Sequence, residues 1–69
     1  MKIEDLAENS GGATEVDAGG IRIQVKALNA LLEQGYEQLR PYRSENTVSA
    51  WGKTCSGCFT LEQLKLMAQ

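Results

Sequence analysis

Histidine is absent from this 69-residue chain. With it goes the side chain most often used as a general base and as a metal ligand, which closes most small hydrolytic sites. Cysteine occurs twice, proline once, and aromatic residues make up only 6 % of the chain. No run approaches the ~18 consecutive apolar residues of a membrane span, so no membrane partner is expected. Lys2 has no apolar stretch behind it, so no secretory leader is expected either. Two cysteines in that setting fit a reducing cytoplasm, with both thiols free. Neither sign of charge dominates: 7 basic against 9 acidic residues, a net charge of −2. The balance is uneven, because Glu4, Asp5, Glu8, Glu15 and Asp17 oppose only Lys2 in residues 1–20, while residues 21–69 lean basic.

What is present is ordinary for a globular protein: 42 % hydrophobic and 23 % charged residues. A chain this short makes one domain and buries only about 60 % of its unfolded surface, so a partner, a metal or a disulfide often completes it. Residues 1–13 read as an acidic, flexible N-terminal arm that ends at the breaker Asn9-Ser10-Gly11-Gly12. Residues 14–69 read as a single small α+β domain.

Within that domain, Ile21-Arg22-Ile23-Gln24-Val25 alternates strictly, with every apolar residue β-branched. Asp17-Ala18-Gly19-Gly20 before it supplies turn residues, and the pattern predicts a β-hairpin over residues 14–25. A long helix competes, since Ile21, Val25, Leu28, Leu32, Gly35 and Leu39 follow a heptad step. Ile23 breaks that face and favours the hairpin. Leu28, Leu31, Leu32, Tyr36 and Leu39 form a stripe that predicts the principal amphipathic helix over residues 26–40. Gly35 either weakens that helix or caps it early, and Pro41 ends it. Residues 44–51 fit a short helix or a strand. Thr60-Leu61-Glu62-Gln63 is a capping-box pattern, with Phe59 and Leu64 as the matching staple, and predicts a C-terminal helix over residues 61–68.

Three constellations carry candidate chemistry. Cys55-Ser56-Gly57-Cys58 supplies two of the four ligands of a structural zinc, so Cys55 and Cys58 would need a second chain to complete a shared site. As a redox pair they lack a thioredoxin-like frame, and the plain alternative is two small residues of a turn. Arg40, Arg43 and Lys53 interleave with Tyr42 and Trp51, a pattern that suits nucleic acid. The run Leu31–Tyr36 followed by Ser44–Trp51 faintly resembles the helix-turn-helix of transposases and recombinases. The resemblance covers about a third of the chain and does not assign it to that family. It implies that Asn46, Thr47 and Lys53 sit near DNA. Finally, the leucine-rich helix faces leave Leu32, Tyr36 and Leu39 as a candidate protein-binding surface. Glu33 with Glu37, and Glu4, Asp5 and Glu8, read as solvated faces and not as acid–base pairs.

The resulting expectation is a small, non-enzymatic, cytoplasmic regulatory protein without a resident cofactor, docking on a larger protein partner. Accessory proteins of phages and mobile elements are often of this kind, an association with no residue behind it. A DNA-binding module around residues 40–53 and a zinc-clasped homodimer through Cys55 and Cys58 are the alternatives.

Overall fold

The computed structural model describes Met1–Gln69, with every side chain except that of Arg43. Three helices and two antiparallel sheets share one core, the α+β class expected. The elements run α1 (Ile3–Glu8), β1 (Glu15–Ala18), β2 (Ile21–Gln24), α2 (Val25–Glu33), β3 (Gln38–Tyr42), β4 (Thr47–Trp51), β5 (Ser56–Thr60) and α3 (Leu61–Met67).

The hairpin forms where alternation placed it. Ala18 pairs with Ile21 across Gly19 and Gly20, whose φ angles of 68° and 97° fit a primed two-residue turn. Gly20 N–H also donates to the Asp17 carboxylate at 2.8 Å. Ile21 and Ile23 turn inward and Arg22 outward. The capping box forms as well. Thr60 Oγ1 accepts from Gln63 N–H at 3.1 Å, and Thr60 N–H donates to Gln63 Oε1 at 2.8 Å.

The principal helix stops short of the expected residue 40. Tyr36 N–H donates to the Leu31 carbonyl at 3.0 Å and Gly35 N–H to the Leu32 carbonyl at 3.1 Å. That pair of bonds is a Schellman closure, and Gly35 supplies its left-handed residue at φ 99°. Released from the helix, Gln38–Tyr42 becomes the first strand of the sheet β3-β4-β5. Leu39 leaves the expected helical stripe and is fully buried from a strand. Residues 44–51, open between helix and strand in the sequence, form the end of a 3-10 turn (Arg43–Glu45) and then β4.

The N-terminal segment is joined to the core, contrary to the free arm expected of residues 1–13. The Met1 amino group donates to the Leu39 carbonyl at 2.9 Å, and Leu39 N–H returns a bond to the Met1 carbonyl at 2.9 Å. Ile3 N–H donates to the Glu37 carbonyl at 3.0 Å, and Ile3 is fully buried. Met1 and Lys2 thus run beside β3 as a short extra strand, with Lys2 bridging Gln38. The physical reason is Ile3, an apolar side chain set in a polar segment where only tertiary packing could cover it. Pro41 fits here too. In the β3 alternation it has the orientation of Leu39, so its missing N–H falls on the side away from β4.

Candidate binding face

The β3-β4-β5 sheet has one covered and one open side. Leu39, Val48 and Ala50 are fully buried among Ile3, Ile23, Leu28, Leu31 and Leu64. Pro41, Gly57 and Phe59 share that inner side by register. Strand periodicity sends the alternate residues outward. They align in three rows: Gln38, Trp51 and Ser56; Arg40, Ser49 and Cys58; Tyr42, Thr47 and Thr60. None of these positions carries a carboxylate.

Two of the exposed large hydrophobic residues of the molecule stand on this face. Tyr42 is 40 % and Trp51 36 % exposed. Four residue steps along β4, from Trp51 to Thr47, separate the Trp51 row from the Tyr42 row, a distance of roughly 13 Å. Between them lies Arg40, whose guanidinium carbon is 5.9 Å from the centroid of the Tyr42 ring, within cation–π range. At the margins, Lys2 bridges Gln38 along one edge, and Lys53 sits exposed in the turn that joins β4 to β5. The outcome is a flat, uncharged-to-basic face with aromatic rings, on a chain of net charge −2.

The candidate residues fare unequally. Arg40 and Thr47 are brought onto this face, and Lys53 is exposed in the turn at its end. Asn46 adopts φ 51° in the turn before β4, and its carbonyl accepts from Leu61 N–H at 3.1 Å. Arg43 lies outside the described side chains. The helix-turn-helix does not form, because Leu31–Tyr36 ends in the Schellman closure and Thr47–Trp51 is a central strand. Of the expected protein-binding surface, Leu39 is core. Tyr36 is half-buried, edge-on to Phe59 at 5.4 Å and 90°. Its hydroxyl lies 3.2 Å from where a Cβ on Gly57 would sit, so it covers a glycine of β5. Leu32 is half-buried and lines a small cleft with Lys2, Glu4, Glu37 and Gln38. No continuous docking surface joins these three.

Cys55 and Cys58 diverge. Cys58 is exposed on the outer face, in the middle of β5. Cys55 is half-buried in the preceding turn, with its Sγ 3.9 Å from the Gln34 carbonyl and 3.6 Å from a Cβ position on Gly35. The two thiols of one chain thus occupy different surroundings, one in a turn against the end of α2 and one on the open strand. Among the described residues, no group of three or more Cys, Asp or Glu side chains could hold a metal ion. None of the helices is long and apolar enough to cross a membrane.

The rows of the outer face were hidden in the sequence by the leucine stripe that runs into β3. The signal was the alternation Leu39-Arg40-Pro41-Tyr42 followed by Val48-Ser49-Ala50-Trp51. Comparison with protein-family profiles, curated proteins and solved structures finds no match.

Proposed function

We propose that this chain is a non-enzymatic, cytoplasmic binding protein that docks on a larger macromolecule through the outer face of β3-β4-β5, and that its ligand is single-stranded nucleic acid. The observation that carries this reading is Trp51 and Tyr42 set about two rows apart on a carboxylate-free sheet, with Arg40 between them. Bases stack on such rings whatever their identity, and the nearby cations follow the phosphates. A sheet of this form accepts splayed-out bases, whereas duplex grooves call for a protruding element.

A protein partner on the same face is the second reading. It is favoured by the residue types, since Trp, Tyr and Arg dominate the energetics of protein interfaces. The tests separate cleanly because Trp51 is the only tryptophan. Its fluorescence should be quenched by oligothymidylate and by oligouridylate, with affinity falling as salt is added. Unchanged fluorescence at low salt would overturn the nucleic-acid reading. If a captured protein protected Trp51 from quenching by iodide, the second reading would replace it.

A further inference from the structure

Among the described residues, one edge strand of this fold carries neither a charge nor a proline. The outer edge of β3 is covered by Met1 and Lys2 and carries Pro41. β1 bears Glu15 and Asp17, and the helix α3 packs beside β2. Charged side chains, proline and covering segments are the usual means of keeping an edge from pairing with another chain. β5, Ser56-Gly57-Cys58-Phe59-Thr60, carries neither charge nor proline, and apart from β4 the element packed beside it is α3, which continues directly from it.

The orientation of its backbone groups follows from two bonds that bracket the β4–β5 ladder. Leu61 N–H donates to the Asn46 carbonyl at 3.1 Å, and Gly52 N–H donates to the Cys55 carbonyl at 2.8 Å. By alternation Gly57 and Phe59 turn their groups toward β4, and Ser56 and Cys58 turn theirs to the open edge.

We infer that two copies of this chain pair β5 to β5, antiparallel, about a two-fold axis through Cys58, making one continuous six-stranded sheet. The occupant is a second copy because the strand is complementary to itself. A two-fold axis at Cys58 sets Ser56 opposite Thr60 of the other copy, two small hydroxyls on the outer side. On the inner side it sets Gly57 opposite Phe59, where the Tyr36 hydroxyl and the Phe59 ring of the same chain already cover Gly57. A charge at position 58 would meet its own copy across the axis, and one at 57 or 59 an apolar group, and the strand has none. Glu62, at the start of α3, comes to the end of the pairing where Lys53 of the other copy lies, adding opposite charges at both ends. The two outer faces then join into a single platform with two Trp51–Arg40–Tyr42 sets.

The pairing is tested on the full chain without nucleic acid, in reducing buffer, by sedimentation equilibrium and native mass spectrometry. A concentration-dependent dimer is expected. Cys58→Lys, which places two ammonium groups at the axis, should be a monomer with an unchanged circular dichroism spectrum. A second measurement holds if that variant does not fold. Antiparallel partners that exchange backbone hydrogen bonds have Cα atoms about 5.5 Å apart, within reach of a disulfide. Diamide takes two electrons and two protons from two thiols and is reduced to the hydrazine as the S–S bond forms. It should link two chains of Cys55→Ser through Cys58, and should leave Cys58→Ser chains unlinked. A chain that stays monomeric up to millimolar concentration overturns the inference, as does cross-linking that proceeds through Cys55 and not Cys58.

Discussion

Gly52 lies backbone to backbone against Gly35: a Cβ placed on Gly52 would overlap the Gly35 carbonyl oxygen and stand 3.1 Å from its carbon. The turn that joins β4 to β5 is thereby seated on the turn that closes α2, and each glycine is needed for a different reason. Gly35 must reach φ 99°, and Gly52 must have no side chain. Gly52→Ala is expected to destabilise by about 1–3 kcal/mol, because the obstructing atoms are main chain and cannot swing aside. Gly11 has a positive φ but open space around it, so Gly11→Ala should cost only the ~1–2 kcal/mol of the left-handed conformation. Thermal melts of the two variants check the difference.

Ile3→Ala is expected to cost about 2–5 kcal/mol, as for any large aliphatic side chain removed from a packed core. A domain of this size holds only about 3–10 kcal/mol in all, so the variant should lose a large share of its stability. Urea titration measures it. An unchanged midpoint would restore the free N-terminal arm.

Leu39→Ala should behave as a core truncation of the same size and not as a lost contact with a partner. Any loss of binding in that variant should track its loss of folded population. Circular dichroism recorded alongside a binding curve separates the two.

Thr60→Ala removes the hydroxyl that accepts from Gln63 N–H, and should lower stability by about 1 kcal/mol. The midpoint of a thermal melt reports it. Thr60 also lies on the outer face, so its effect on nucleic-acid affinity should stay well below that of Trp51→Ala. The latter should weaken binding by about 1–3 kcal/mol, a stacked base being lost.

Arg40→Ala should reduce the slope of log affinity against log salt by about 0.7, the share of one phosphate contact on a single strand. Leu66→Ala, also exposed but on α3, should leave that slope alone. Titrations at several salt concentrations decide between them.

Local chemistry was legible in the sequence and long-range competition was not. Thr60 and Gln63 cap α3 through atoms three residues apart, and Gly19-Gly20 turns the hairpin without help from elsewhere. In residues 36–40, Tyr36 and Leu39 continue a 3.6-residue stripe by coincidence while Leu39 and Pro41 also fit a strand. The closure at Gly35 decides the matter, and its signal, glycine with proline six residues on, was present but ambiguous. Ile3 could not have been placed in the core from residues 1–13 alone, because its neighbours in space are Glu37 and Leu39. For the site, the basic and aromatic residues between positions 40 and 53 were visible as a group. Their arrangement on one face awaited the pairing of β3 with β4, which turns a linear cluster into rows.

The clasp between Met1 and Leu39 joins residues 38 apart in sequence, while both strand ladders of the sheet connect chain neighbours through short turns. Closing a long loop carries an entropic charge that short hairpins escape. The two hairpins and α2 can therefore take shape early from local contacts. Docking of the N-terminal residues seals the far side of β3 and ties the first third of the chain to its middle third. Without that contact β3 would carry an open flank, so aggregation of this protein should depend on how firmly its first three residues hold their place.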